Sequence, residues 1–264
     1  MAELVEFHGM PAVRWRSRDG SAAIATLQGA QLVSWTPSCG EECLYLSERS
    51  PFEAGRPIRG GIPIVFPQFG TRGPLAQHGF ARTQAWSFVG ASESGGSAQA
   101  SFALESSPQT EALWPGAFRL VLAVTIGGPR LDVELRVANP GNASLTFTAA
   151  LHTYLRVSGP AARLEGLREV VTAGEAIDRV YVAAPAATHL MDAGRILRIE
   201  QRGFTDTVVW NPGRERTARM ADMPPDGFRH MLCVEAAAIE PPVVVAPGET
   251  WCGGQSITLG DRSP

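Results

Sequence analysis

RLVLAVTIGGPRLDVELRVAN, residues 119–139, decides the fold class. Leu131, Val133, Leu135 and Val137 alternate with Asp132, Glu134 and Arg136, a period of two that sends one set to a buried face and the other to water. The run at 119–126 is of the same kind, and GGPR at 127–130 supplies turn chemistry, so the two segments read as an antiparallel hairpin. After the turn at PGN, residues 144–157 continue the pattern. Leu145, Phe147, Ala149, Leu151, Leu155 and Val157 share the core parity, while Thr148, Ala150, His152, Tyr154 and Arg156 take the opposite one. Further strands are expected at 207–210, 231–236, 243–245 and 255–259. Alternation recurs from residue 22 to the end, interrupted by clusters of Gly, Pro, Asn and Asp, and no long stretch carries a clean helical period. A short Ser/Gly/Ala stretch near 91–99 reads as a turn. The expectation is an all-β chain forming one domain over residues 1–264, a large sandwich of mainly antiparallel strands.

Composition narrows the function. The 264 residues are 44% hydrophobic and 19% charged, enough for a sizeable core, and a formal charge of −3 gives no general attraction for nucleic acid or an anionic membrane. No apolar run is long enough to span a bilayer. The start, MAELVEFHGM, lacks the basic and apolar regions of a secretory signal, so a cytoplasmic location is expected. The spacing of Cys39, Cys43, Cys233 and Cys252 fits neither a zinc ribbon nor a CxxC redox pair, and reduced structural thiols are expected. All 23 basic residues are arginine. Without lysine there is no Schiff base, no pyridoxal attachment and no Walker A loop. The five histidines (His8, His78, His152, His189, His230) form no HxH or HExxH pattern. A metal site is therefore not expected, which argues against a metal-dependent cupin-type sugar isomerase.

The segment RPIRGGIPIVFPQFGTRGPLAQHGFARTQAW at 56–86 is neither a helix nor an ordinary strand, because Pro63, Pro67 and Pro74 lack backbone donors and Gly60 and Gly61 permit an approach that a Cβ would block. It reads as a shaped surface loop on apolar anchors (Ile62, Ile64, Val65, Phe66, Phe69) that carries Arg59, Gln77, His78 and Arg82. Two guanidiniums beside a glycine pair, whose N–H groups add donors, suit an anion; the plain alternative is two surface salt bridges. His152 falls mid-strand on the non-core parity and suits a proton donor, or is a half-exposed histidine bonded to a neighbour. Glu235, within MLCVEAAAI, is a carboxylate among apolar residues, or a solvent-facing strand position. Together they offer an acid and a base. Asp178 in EAIDRVY is a hydroxyl acceptor or a turn residue.

The chain resembles the D-hexose-6-phosphate mutarotases (glucose-6-phosphate 1-epimerases) of the aldose 1-epimerase superfamily. The resemblance is carried by RGGIPIVFPQFG at 59–70, QHGFAR at 77–82, LHTYLRV at 151–157, DRVY at 178–181, VVWNPG at 208–213, MADM at 220–223 and MLCVE at 231–235. It implies the galactose-mutarotase-like β-supersandwich with a concave active face, His152 and Glu235 as catalytic acid and base, and Arg59, Gln77, Arg82 and Asp178 as substrate-binding residues. It implies α/β anomer exchange of a hexose 6-phosphate with no cofactor or metal, a small-molecule phosphate substrate as partner, and no nucleic-acid or membrane partner. The oligomeric state is not set by the sequence, and a monomer is compatible with it. Two departures are local: a shorter segment after His152, and CVEAAAIE in place of the more usual CVEPG. A galactose mutarotase, with little use for an arginine clamp, and a noncatalytic sugar-binding protein are the competing readings.

Overall fold

Strand by strand, the alternation builds three antiparallel sheets in the computed structural model, which describes residues 2–38 and 40–261. The hairpin forms as strands Arg119–Gly127 and Arg130–Ala138, in register from Arg119↔Ala138 to Gly127↔Arg130. Leu131, Val133, Leu135 and Val137 are buried and Arg136 is exposed, as the period requires. The hairpin lies within a nine-stranded sheet, in the order Val171–Thr172, Arg163–Glu165, Ala187–Asp192, Arg195–Arg202, Thr250–Asp261, the two hairpin strands in reverse, Ser97–Glu105 and Ser87–Ser94.

Two expectations need correction here. The turn expected near 91–99 is confined to Gly95 and Gly96, both at positive φ, and the residues around it are the paired ends of Ser87–Ser94 and Ser97–Glu105. Their Ser and Ala side chains give too little contrast to reveal the alternation. The β pattern also begins before residue 22. Ala2–Phe7, Met10–Arg16, Ala22–Thr26 and Leu32–Thr36 form a four-stranded sheet, whose first strand is largely exposed and so lacks an apolar signature.

The third sheet runs Ile177–Tyr181, Asp206–Asn211, Met231–Val245, Leu145–Leu151 and Ile64–Val65, with Tyr154–Arg156 also paired to Met231–Val245. The strands expected separately at 231–236 and 243–245 are thus one element, whose register against Leu145–Leu151 shifts between Phe147 and Ala149. The Asp206 carboxylate holds the irregular stretch by accepting from the N–H groups of Ile239 and Glu240 at 2.8 and 2.9 Å. Its central strands, Asp206–Asn211 and the first part of Met231–Val245, are buried on both faces. Val209, Leu232, Val234, Ala236, Phe147, Ala149 and Leu151 join a core cluster that draws on all three sheets, including Trp15, Phe102 and Leu122. Their neighbours Val208, Trp210, Cys233, Glu235 and Ala237 point the other way.

Residues 58–69 are not a surface loop, since all but Arg59 are buried. Ile64 and Val65 pair with Leu151 and Ala150, and the carbonyls of Pro63 and Pro67 accept from the N–H groups of His152 and Thr148 at 3.0 Å each. The prolines fit because these positions supply acceptors rather than donors. Gly60 and Gly61 do permit a close approach, but of the chain's own backbone, and the N–H of Gly61 is spent on the Tyr45 carbonyl at 2.8 Å instead of facing an anion. Gly61 has φ +62°, and a Cβ there would lie 2.1 Å from the Leu32 carbonyl oxygen. Gly61→Ala is expected to lower stability by roughly 3 kcal/mol or more, read as the midpoint of denaturant unfolding. An unchanged midpoint would show that the packing at Leu32 is dispensable.

Candidate active site

Period two in Met231–Val245 carries Glu235 to the face away from the core, where it is 2% exposed; the solvent-facing alternative is excluded. His152 is buried as well, but it is not mid-strand. The chain breaks after Leu145–Leu151 and resumes at Tyr154–Arg156, leaving His152 and Thr153 in the kink. Backbone bonds fix that kink: His152 N–H to Pro63 O at 3.0 Å and Val234 N–H to Thr153 O at 3.0 Å, with the Thr153 hydroxyl donating to Gln255 Oε1 at 2.5 Å. The imidazole stacks on Tyr154 (4.8 Å between centroids, 8° between planes) and meets the edges of His78 at 5.4 Å and Trp210 at 6.1 Å. His152 Nδ1 thereby comes within 3.4 Å of Glu235 Oε1.

Burial sets the protonation of this pair. It pushes the Glu235 carboxyl well above the usual carboxylate range, helped by the negative charge of Asp178 and opposed by Arg82. It holds His152 well below the usual imidazole value, with His78, Arg82 and Arg59 adding to the effect. Both shifts favour the uncharged forms of the pair, a protonated Glu235 and a neutral His152. His152 Nδ1 and Glu235 Oε2 are buried without a hydrogen-bond partner among the described residues. His78 is likewise neutral, its pKa taken down to about 3 by burial and then by Arg82 and Arg59, and its Nδ1 accepts from Gly70 N–H at 3.3 Å.

The two arginines are in different electrical states. Arg59 donates from Nε and Nη2 to Asp222 Oδ2 at 3.0 and 2.9 Å and from Nη1 to the Tyr154 hydroxyl at 3.0 Å, so its charge is already matched. Arg82 donates from Nη2 to the carbonyl of Gln77 at 2.8 Å, and its buried Nε finds no acceptor. Among the described residues no carboxylate lies within ion-pair distance of it. The Gln77 side chain makes no hydrogen bond among the described residues, and Gln77 itself is exposed. Asp178 is not a turn residue. It lies in strand Ile177–Tyr181 opposite Trp210 and pairs with Arg216 at 3.2 Å.

Arg59, Gln77, Arg82, His152, Asp178 and Glu235 all line one pocket of about 720 Å³. The same pocket includes side chains to which the sequence reading gave no role: His78, Tyr154, Trp210, Asp222 and Arg216. His78, Tyr154, Trp210 and Asp222 lie inside the quoted blocks, which was their available signal; Arg216 had none. Among the described residues no three or more His, Cys, Asp or Glu side chains are grouped to hold a metal ion, and no helix is long and apolar enough to cross a membrane. Cys233 is a buried free thiol beneath the pocket, Cys252 is free but exposed and so not a packing thiol, and Cys39 lies outside the described residues.

The family model described as Aldose 1-epimerase matches residues 11–176 and 162–258. A provisionally named glucose-6-phosphate 1-epimerase of Cenchrus ciliaris is 35% identical across 96% of this chain and 86% of its own length. Its counterpart in Escherichia coli K12 is 33% identical, with 89% and 86% covered. The crystal structure of a provisionally named mutarotase from Salmonella typhimurium is similar with a TM-score of 0.91 at 28% identity, covering 99% of this chain and 94% of that one. A galactose mutarotase-like protein from Clostridium acetobutylicum, 14% identical, shares the fold with a TM-score of 0.78 over 99% and 98% of the two chains. The architecture is accordingly the mainly antiparallel, galactose-mutarotase-like β-sandwich that the sequence led us to expect.

The raised Glu235 pKa has a consequence for stability. Because the folded value lies above the unfolded one, the stabilisation it brings is complete below the unfolded pKa and is lost as pH rises toward the folded value. Glutamine carries no such dependence, and the opposite trend from His152 is common to both proteins. Glu235→Gln is therefore expected to gain stability relative to wild type as pH rises from 5 to 8, measured by thermal unfolding. A difference that does not change with pH would mean that the carboxyl is ionised in the folded protein.

Proposed function

The chain belongs to the aldose 1-epimerase family, and from that premise we propose that it is an isomerase exchanging the α and β anomers of a hexose 6-phosphate, with glucose 6-phosphate as the reference substrate. The observation that carries the phosphate is Arg82: a half-buried guanidinium with no carboxylate partner among the described residues, a buried Nε without an acceptor, and a place in the same pocket as the His152–Glu235 pair. A guanidinium in that state favours a planar, charge-assisted contact with a phosphate oxygen. Arg59 assists with the two N–H groups that Asp222 and Tyr154 leave unused. Gln77 and Asp178 supply a donor and an acceptor for sugar hydroxyls.

The exchange needs one base and one acid. The Glu235 proton passes to His152 across their 3.4 Å contact, leaving a carboxylate and an imidazolium side by side. The carboxylate removes the proton from the anomeric hydroxyl while the imidazolium protonates the ring oxygen. The C1–ring-oxygen bond breaks and the C1 oxygen becomes the aldehyde carbonyl. Rotation about C1–C2 presents the other carbonyl face. The C5 hydroxyl then adds to C1, returning its proton to His152 as Glu235 protonates the carbonyl oxygen. The imidazolium then returns a proton to the Glu235 carboxylate across the same contact, so the protein ends in the state in which it began, and no cofactor enters. A cytoplasmic setting suits a substrate whose dianion does not cross a bilayer unaided, and neither nucleic acid nor membrane enters the reading.

A galactose mutarotase would share the acid and base but leave Arg82 without a task, and a noncatalytic sugar-binding protein would have no use for a matched acid and base. His152→Ala and Glu235→Gln are each expected to lower turnover by roughly 10²-fold or more in a folded protein, measured by anomer-exchange NMR on glucose 6-phosphate. A folded variant with near-normal exchange would remove that residue from the chemistry. Arg82→Ala should cut kcat/KM on glucose 6-phosphate by roughly 10-fold or more while sparing any activity on free glucose. Equal losses on the two sugars would assign Arg82 to the ring or the loop instead, and a wild type that prefers free galactose would favour the galactose mutarotase.

A further inference from the structure

The pocket holds an arginine–carboxylate contact that neither the acid–base chemistry nor the anion site uses. Strand pairing sets Asp178 opposite Trp210. The chain then turns through Asn211 and Pro212 into the short helix Gly213–Thr217, which brings Arg216 back over the same tryptophan, its Cζ 5.6 Å from the ring centroid. The turn is built rigidly. Asn211 Nδ2 donates to the carbonyls of Phe228 and Met231 at 2.8 and 2.9 Å, its Oδ1 accepts from Gly213 N–H at 2.9 Å, and Gly213 has φ +64° against Ala176. Arg216 Nη1 thus reaches Asp178 Oδ2 at 3.2 Å, with side chains 55% and 65% exposed. A pair so exposed contributes only about 0–1 kcal/mol to stability, which is a poor reason for a rigid turn to aim it.

Charge supplies a better one. Three carboxyl groups line the pocket: Asp222 is matched by Arg59, and burial disfavours the ionised form of Glu235. Asp178 has Arg216 as its ion-pair partner and lies near enough to bear on Glu235. We propose that Arg216 is a specificity-determining, positioning residue: by pairing with Asp178 it cancels the last free carboxylate of the pocket, so that Asp178 accepts from sugar hydroxyls without repelling a phosphate dianion on Arg82. The inference rests on the phosphosugar reading of the site and deepens it.

The test compares wild type with Arg216→Gln, Arg216→Lys, Asp178→Asn and the Arg216→Gln/Asp178→Asn double variant, following anomer exchange on glucose 6-phosphate and free glucose. Calorimetric binding of glucitol 6-phosphate, which cannot form a ring, is measured alongside. Arg216→Gln should raise KM for glucose 6-phosphate and weaken glucitol 6-phosphate binding by roughly 3- to 10-fold, with kcat held within about 2-fold. Lysine should restore both, and the double variant should bind phosphate no worse than Asp178→Asn alone, because no bare carboxylate is left. Equal KM changes on the two sugars, additive losses in the double variant, or unaltered glucitol 6-phosphate binding in Arg216→Gln would each overturn the role given to Arg216. A wild type inactive on both sugars would refute the enzyme reading, and the glucitol 6-phosphate comparison would still decide the charge role.

Discussion

Glu235 is a carboxyl group buried at the centre of a sheet, with one oxygen lacking a hydrogen-bond partner among the described residues, and the rest of the pocket is arranged around that burden. Ionising it there without compensation would cost several kcal/mol, so burial favours the protonated form, and the same lack of water favours a neutral His152, whose Nδ1 lies 3.4 Å away. Two desolvated groups, each pushed toward its uncharged form, set the resting state. Charge separates only when a substrate arrives whose own hydroxyl and ring oxygen exchange protons with the pair. The burial that is unfavourable to folding is what makes the carboxylate a strong base and the imidazolium a strong acid once they form.

Holding that pair requires central strands buried on both faces, one toward the core and one toward the pocket, and the backbone of 58–69 completes their sheet. The carbonyl of Pro63 takes the N–H of His152, and that of Gly61 takes the N–H of Tyr154, so the kink that turns the imidazole toward Glu235 is bonded along its length. Tyr154 then serves twice, as the plate under His152 and as an acceptor for Arg59, whose other donors reach Asp222. A chain of contacts therefore links a loop aspartate to the orientation of the imidazole through a single guanidinium.

What the sequence made legible follows from range. Local alternation showed the hairpin at 119–139 and the parity that sets His152 and Glu235 apart from the core, because period two needs only neighbouring residues. The N-terminal strands and the Ser/Ala hairpin at 87–105 escaped, because small and exposed side chains give the period little contrast. Residues 58–69 were read as a surface loop on their Pro and Gly content. Those residues mark backbone that cannot donate or that sits close to another chain segment, and a strand that offers carbonyls at a sheet edge meets both descriptions. The pairing of Arg59 with Asp222, 163 residues on, and of Asp178 with Arg216 has no local periodicity and became visible only with the fold.

Among the described residues, one arginine of the pocket lining has no carboxylate partner. Arg56 is matched by Glu53, Arg59 by Asp222, Arg72 by Glu240 and Arg216 by Asp178, and Arg82 remains. The chain uses arginine at all 23 of its basic positions, and at this one the choice has chemical force. Burial pulls the pKa of Arg82 downward, yet a guanidinium starts high enough to stay charged. A lysine under the same desolvation would begin about two units lower and drift toward the free amine. That amine would lose the attraction for phosphate and, beside a ring that opens to an aldehyde, would become a nucleophile able to trap the intermediate. A half-buried cation that must remain a cation next to a carbonyl is a place where arginine and lysine are not interchangeable.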